Sequence, residues 1–218
     1  MLEIESLHVA IDSVVALRGL TLAVESGRMV GLVGRNGAGK TTLMRTLMGH
    51  LKPTSGRIAF DGHDLIALPP HARAGLGIGY MPEDRGLVPE LTVEENILVP
   101  LWVNRALNES ERLAGVYRVL PELVEMRGRR ALLLSGGQQK LVALARALAV
   151  GTRLLLLDEP FEGLAPALST RLAEVIASLK GSEVSVLIAQ SDLNHLRRLV
   201  DSECVIERGA NVETTSAA

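Results

Sequence analysis

The spacing of apolar residues changes along the chain, and each change predicts a different element. Leu2, Ile4, Leu7 and Val9 suggest a first strand whose alternation slips near Ser6. Leu20, Leu22 and Val24 alternate with Thr21, Ala23 and Glu25, as in a half-buried strand. Ser26-Gly27 turns the chain into Met29-Val30-Gly31-Leu32-Val33, a short apolar run that reads as a buried parallel strand. Leu43, Met44, Leu47, Met48 and Leu51 then share one face of a helix. After the break at Lys52-Pro53-Thr54-Ser55-Gly56, short strands are expected over 57–60 and 75–81.

Helical spacing dominates from 87 to about 130. Thr92-Val93-Glu94-Glu95 places a threonine three residues before a glutamate, a capping box that opens a helix. Leu113, Val116 and Leu120 keep the helical period up to Pro121. Residues 154–157 are a continuous apolar strand, and Leu168, Leu172, Val175, Ile176 and Leu179 mark the buried face of a helix with Gly181 as its expected C-cap. A strand over 184–189, a helix over 192–200 and a last strand over 204–207 follow, and the tail 214–218 is expected to fray. Strands alternating with helices imply an α/β fold whose mostly parallel sheet is covered on both faces. The chain reads as one domain, 1–218, with a helical subdomain (87–149) inserted between the core segments 1–86 and 150–218.

Composition narrows the function. Of 218 residues, 47% are hydrophobic but only 2% are aromatic, so the core is aliphatic and base stacking on aromatic rings is not the mode of action. The net charge of −2 argues against a dominant polyanion-binding face. Cys204 is the only cysteine, which excludes an intrachain disulfide and fits a reducing compartment. The acidic, alternating start Met1-Leu2-Glu3-Ile4-Glu5 does not read as a signal peptide. The most apolar stretch, 141–157, is interrupted by Arg146, Gly151 and Arg153, so any work at a membrane is expected to go through a partner. The five histidines show no metal-ligand pairing; His63 and His71 read as surface residues and His195 as a helix residue, while Trp102 and Phe161 read as packing residues.

Three constellations carry chemistry. The first is Gly34-Arg35-Asn36-Gly37-Ala38-Gly39-Lys40-Thr41-Thr42, between an apolar strand and an amphipathic helix. A triphosphate needs backbone N–H groups packed closely around it, and glycines at 34, 37 and 39 allow that approach. The helix start offers free N–H groups and its positive dipole end. Lys40 is placed to reach the β- and γ-phosphates, Thr41 to hold Mg²⁺, and Thr42 to lie beside the phosphates. The second is the strand end Asp158-Glu159, where Asp158 would steady Mg²⁺ and Glu159 would polarise the attacking water. The third, Ser135-Gly136-Gly137-Gln138, opens a helix and makes a second anion-binding helix end. Two cradles make sense together if a second subunit supplies one of them.

Gly34 to Thr41, Leu134 to Gln138 and Leu154 to Glu159, in this order, resemble the nucleotide-binding domain of ABC transporters over nearly the whole chain. Pro82-Glu83-Asp84-Arg85, Leu91–Asn96 and Gly163-Leu164-Ala165-Pro166 look most like the branched-chain amino acid importers. The resemblance implies a P-loop core with an N-terminal antiparallel β part, and an ATPase that works as a head-to-tail dimer, homo- or heteromeric, with ATP and Mg²⁺ at the interface. Each ATP would lie between the phosphate loop of one subunit and Ser135, Gly136 and Gly137 of the other, and 163–166 would cross between the sites. The implied partners are an integral membrane permease, met by the helical subdomain and the loop around Glu83, and indirectly a solute-binding protein, with no nucleic acid. The implied location is peripheral, on the cytoplasmic face of the membrane.

Three positions depart from the family pattern. Ile11 stands where an aromatic ring usually stacks on adenine, a loss of about 1–3 kcal/mol by analogy with base stacking. Glu83 replaces the glutamine that meets Mg²⁺ and water, and Gln190 replaces the histidine at the γ-phosphate. The last two look like features of the amino acid subgroup. The chain stops soon after Gly209, where similar proteins often continue. Two other readings share these motifs: a soluble ABC ATPase that serves no transporter, and a module that senses ATP with little hydrolysis.

Overall fold

The apolar runs assemble into two sheets in the computed structural model, which describes residues 1–104, 106–192 and 196–212. In chain order the elements are β1 (Leu2–Ile11), β2 (Val14–Val24), β3 (Met29–Val33), α1 (Lys40–Leu47), β4 (Ser55–Phe60), β5 (His63–Asp64), α2 (Ala72–Gly75) and β6 (Ile78–Met81). Then come α3 (Val93–Trp102), α4 (Glu109–Val119), α5 (Gly136–Val150), β7 (Leu154–Asp158), α6 (Pro166–Ala177), β8 (Ser185–Gln190), β9 (Ser202–Glu207) and β10 (Ala210–Asn211).

The first sheet is antiparallel, in the order β2-β1-β4-β5. The slip in alternation at Ser6 is a β-bulge: Ser6 takes φ 45°, the register shifts between Ile4 and Leu7, and Leu2, Ile4, Leu7 and Val9 all point inward. The second sheet runs β10-β9-β3-β8-β7-β6 and is parallel from β9 to β6, with β10 antiparallel at one edge. Alternate residues of its strands face two cores. Val30, Leu32, Leu154, Leu156 and Leu187 pack toward the antiparallel sheet and α1. Met29, Leu155, Leu157, Val186 and Ile188 pack toward α3, α5 and α6. Burial on both faces is why β3, β7 and β8 read as continuous apolar runs. Among the described residues, no helix is long and apolar enough to cross a membrane.

Several boundaries differ from the sequence expectation. The helix after the glycine loop ends at Leu47 with Met48 as its cap, so Leu51 lies beyond it. The strand expected over 75–81 starts only at Ile78, because the preceding residues form α2. Arg73 of α2 is buried and donates to the carbonyls of Leu47, Leu65, Leu68 and Pro69, a tertiary contact that no local pattern announces. The C-cap of α6 is Ser178 rather than Gly181, which takes φ 77° in the following turn. Of the helix expected over 192–200, the described part is a 3-10 turn, Leu196–Arg198. His195 and the tail 214–218 lie outside the described residues. Phe161 is buried as expected, but Trp102, at the end of α3, is half exposed.

Candidate functional site

β3 delivers the chain into the glycine loop at the carboxyl edge of the parallel sheet, the edge where open α/β sheets bind ligands. Gly39 is the N-cap of α1 with φ 111°, and a Cβ there would stand 2.8 Å from the Leu17 side chain. No side chain caps α1, so its first N–H groups are left for a ligand. A cleft of about 280 Å³ opens over this turn, lined by Ala16, Asn36, Gly37, Gly39, Lys40, Thr41, Thr42, Glu83 and Glu159. Residues distant in sequence thus converge on one anion-sized space.

Lys40 is buried and folds back over its own loop. Its Nζ donates to the carbonyls of Gly34 (2.6 Å) and Arg35 (3.3 Å) and to Ser191 Oγ (3.1 Å), and pairs with Glu159 Oε1 at 3.0 Å. Thr41 Oγ1 lies 3.2 Å from Asp158 Oδ1 and 3.3 Å from Glu83 Oε2. The other Asp158 oxygen is buried with no hydrogen-bond partner. Burial pushes the Asp158 carboxyl up to about 6; the hydrogen bond from Thr41 opposes this, Glu83 and Glu159 add to it, and Lys40 opposes it. A hydroxyl and two carboxylates, one with an orphaned oxygen, form the hard-oxygen set that Mg²⁺ takes beside a nucleotide. Among the described residues no cluster of His, Cys, Asp or Glu would hold a metal alone, which suits an ion that shares its ligands with phosphates and water.

The Asp158 shift has a testable sign. A carboxyl raised from 3.8 to about 6 on folding costs stability above its folded value, and that cost is relieved as pH falls from about 6 toward 4. The shift corresponds to roughly 3 kcal/mol at neutral pH. The nucleotide-free Asp158→Asn variant is expected to melt higher than the parent at pH 7.5 and to lose that advantage near pH 4.5; thermal melts across this range, without magnesium, check it.

Glu159 follows β7 with φ 47°, a strained angle for a residue with a side chain, and its N–H donates to the Ala189 carbonyl at 2.9 Å. Its carboxylate is held by Lys40, by the Ser191 N–H (3.2 Å) and by the Ser191 hydroxyl. Ser191 Oγ also lies 2.8 Å from Asn36 Oδ1. Sequence reasoning chose Gln190 for this position, and the structure corrects it by one residue. Gln190 is the last residue of β8; its side chain is buried and its Oε1 has no partner, whereas Ser191 just beyond the strand meets Lys40, Glu159 and Asn36. The available signal was the strand end itself, since ligand-facing residues sit just past it.

A second residue that the sequence did not reveal is Lys140, on α5. It is buried, its Nζ donates to the carbonyls of Glu159 (2.7 Å) and Glu162 (2.6 Å), and burial lowers its pKa. It therefore fastens the turn that carries Glu159 to α5. Lys140→Met leaves two carbonyls unpaired and is expected to cost roughly 1–3 kcal/mol of stability, read by urea unfolding, and to lower kcat more than it raises KM for ATP.

The helix tip of α5 stands apart from the cleft. Ser135 Oγ accepts from the Gln138 N–H (3.3 Å) while Gln138 Oε1 accepts from the Ser135 N–H (3.0 Å), a reciprocal capping box. Gly137 lies against Leu168 of α6, where a Cβ would come within 2.4 Å. None of Ser135, Gly136, Gly137 and Gln138 lines the phosphate cleft. Ile11 is exposed at the tip of the β1–β2 hairpin and does not line it either.

A strand, a glycine loop, a helix carrying Lys40 and Thr41, and an adjacent strand ending in a buried aspartate and a glutamate define a P-loop nucleoside triphosphatase. The ABC transporter family matches residues 17–162, and the chain belongs to that family: it is an ATP-binding, ATP-hydrolysing transporter subunit. It is 34% identical over 209 residues to the high-affinity branched-chain amino acid transport ATP-binding protein BraG of Pseudomonas aeruginosa, covering 96% of this chain and 90% of that one. It is 32% identical over 216 residues to the lipopolysaccharide export system ATP-binding protein LptB of Haemophilus influenzae, covering 98% and 90%. Among solved structures, a nucleotide-free ATP-binding cassette from an ABC transporter is 28% identical and superimposes with a TM-score of 0.84, over 97% of this chain and 89% of that one. A dimeric cassette in a post-hydrolysis state with ADP and Pi shares the fold at 23% identity and a TM-score of 0.87, over 98% and 97%.

Proposed function

We propose that the chain drives an amino acid importer, as one of two cassettes that close on ATP between them. The observation that carries the paired arrangement is the separation of the two cradles: the cleft holding Lys40, Thr41, Asp158 and Glu159 includes no residue of 135–138. One subunit's loop and the other's α5 tip would complete each site. Likeness to BraG favours amino acids as cargo. The comparable likeness to LptB supports a second reading, export of a lipid-linked substrate.

In this reading Lys40 exchanges partners. Without nucleotide it is tied to Glu159 and to its own loop carbonyls. A triphosphate in the cleft would draw its charge away and free the Glu159 carboxylate, which would then take the proton of the attacking water. Thr41 and Asp158, with Glu83 beside them, would hold Mg²⁺, which spreads phosphate charge when bound. Ser191 would keep Glu159 aligned, and Gln190 is left with a supporting place in the strand. A larger cleft of about 1040 Å³, lined by Arg45, His50, Tyr80, Glu83, Asp84 and Pro100 among others, lies where the core meets the helical segment 87–149. It is suited to a cytoplasmic helix of the permease, which would keep the subunit on the inner face of the membrane.

The test is ATPase stimulation. With candidate permeases in lipid nanodiscs, an amino-acid-loaded binding protein is expected to raise turnover. Stimulation only by a lipid-extracting permease would decide for export, and stimulation by neither would remove the transport reading in favour of a soluble or sensing role.

A further inference from the structure

The exposed apolar residues are not spread evenly. Among the described residues twelve large apolar side chains are exposed, and five of them flank the two cradles. Ile11 (40%), Val14 (67%) and Val15 (45%) form the tip of the β1–β2 hairpin. Leu132 (52%) and Leu133 (67%) immediately precede the α5 tip at Ser135. Contiguous apolar surface of this kind marks an interaction site.

We infer that the hairpin tip of one subunit is covered by the Leu132–Leu133 pair of a second copy, giving an apolar seal that closes over the nucleotide base. This rests on the paired reading above. The hairpin is fixed to the phosphate site: Ala16, just after Val15, lines the cleft, and Leu17 packs beside Gly39. Leu133 lies two residues before Ser135. Seating the α5 tip over another copy's cleft therefore carries Leu132 and Leu133 across to that copy's hairpin. Charge agrees with this pairing, because exposed Asp12 sits at the tip and exposed Arg129 and Arg130 lie just before the leucines. The seal also explains how Ile11 can stand in a place where a single ring would otherwise do the work: several aliphatic side chains from two chains shed water around the base together. These side chains offer no hydrogen-bonding group, so the seal adds affinity without reading the edge of the base.

The experiment uses a Glu159→Gln parent, in which ATP-driven pairing accumulates, followed by sedimentation with Mg-ATP. Leu133→Asp in that parent is expected to weaken pairing at least tenfold and to leave the binding of a fluorescent ATP analogue to the monomer unchanged. Adding Val14→Lys to place a positive charge opposite is expected to restore it. Melting curves check the fold, which substitutions at exposed positions should leave intact. Undiminished pairing of Leu133→Asp would overturn the inference, as would weakening that Val14→Lys does not rescue. A parent that never pairs would overturn the two-subunit reading itself, and is told apart because it appears before any leucine is changed.

Discussion

Glu159→Gln is expected to slow ATP turnover by about 10²–10⁴-fold, the range for loss of a positioned general base, while leaving nucleotide binding intact or stronger. The amide keeps the size of the carboxylate and can still bond to Ser191, so the left-handed turn at this position gains no new strain. It cannot accept the proton of the attacking water. The change also releases Lys40, whose 3.0 Å ion pair with Glu159 must otherwise be broken before the ammonium can serve a phosphate. Two measurements separate the effects: phosphate release at saturating ATP, which should fall, and equilibrium binding of ATP, which should hold or improve. Turnover within threefold of the parent would remove Glu159 from the chemistry and leave it only as the counter-ion of Lys40.

Much of this site was legible because its parts are local. The loop 34–42, the strand end Asp158-Glu159 and the capping box at Ser135 each announce themselves within nine residues. Each depends on backbone geometry that particular residue types impose: glycine where N–H groups must crowd an anion, serine where a helix starts. Ser191 and Lys140 were not legible for the same reason. Ser191 matters because β8 lies between β3 and β7, which brings a plain hydroxyl against Lys40 and Glu159 from another part of the chain. Lys140 reads as one more polar residue on α5 until α5 is packed against the turn after β7, where its ammonium meets two carbonyls. Arg73 follows the same rule in the fold: a buried guanidinium meeting four carbonyls is a fact of tertiary packing, and the short helix α2 that carries it replaced part of a predicted strand. Placing Gln190 at the γ-phosphate failed by a single residue because sequence alone does not say where a strand stops.

Lys40→Met is expected to produce the largest loss of nucleotide binding. Removing one partner of a buried, hydrogen-bonded charge pair costs about 2–5 kcal/mol, which is roughly thirtyfold to several thousandfold in affinity for ATP. The same change acts on the empty protein in a way that separates binding from folding. Lys40 and Glu159 are both almost fully buried and are each other's counter-charge. Methionine fills the lysine's space but leaves the carboxylate with only Ser191 to hold it, so the nucleotide-free variant should unfold more easily by about 3–5 kcal/mol at most. The double variant Lys40→Met with Glu159→Gln then removes both charges. It should regain much of the stability, because no uncompensated ion remains in the interior, yet it should still fail to bind ATP tightly. Isothermal titration and urea unfolding on the two singles and the double complete this cycle. Recovery of stability without recovery of binding is what a lysine with two partners requires, one in the empty protein and one in the loaded protein. If the double variant bound ATP as well as the parent, the positive charge at 40 would have no part in holding the phosphates, and the cleft over α1 would lose its assignment.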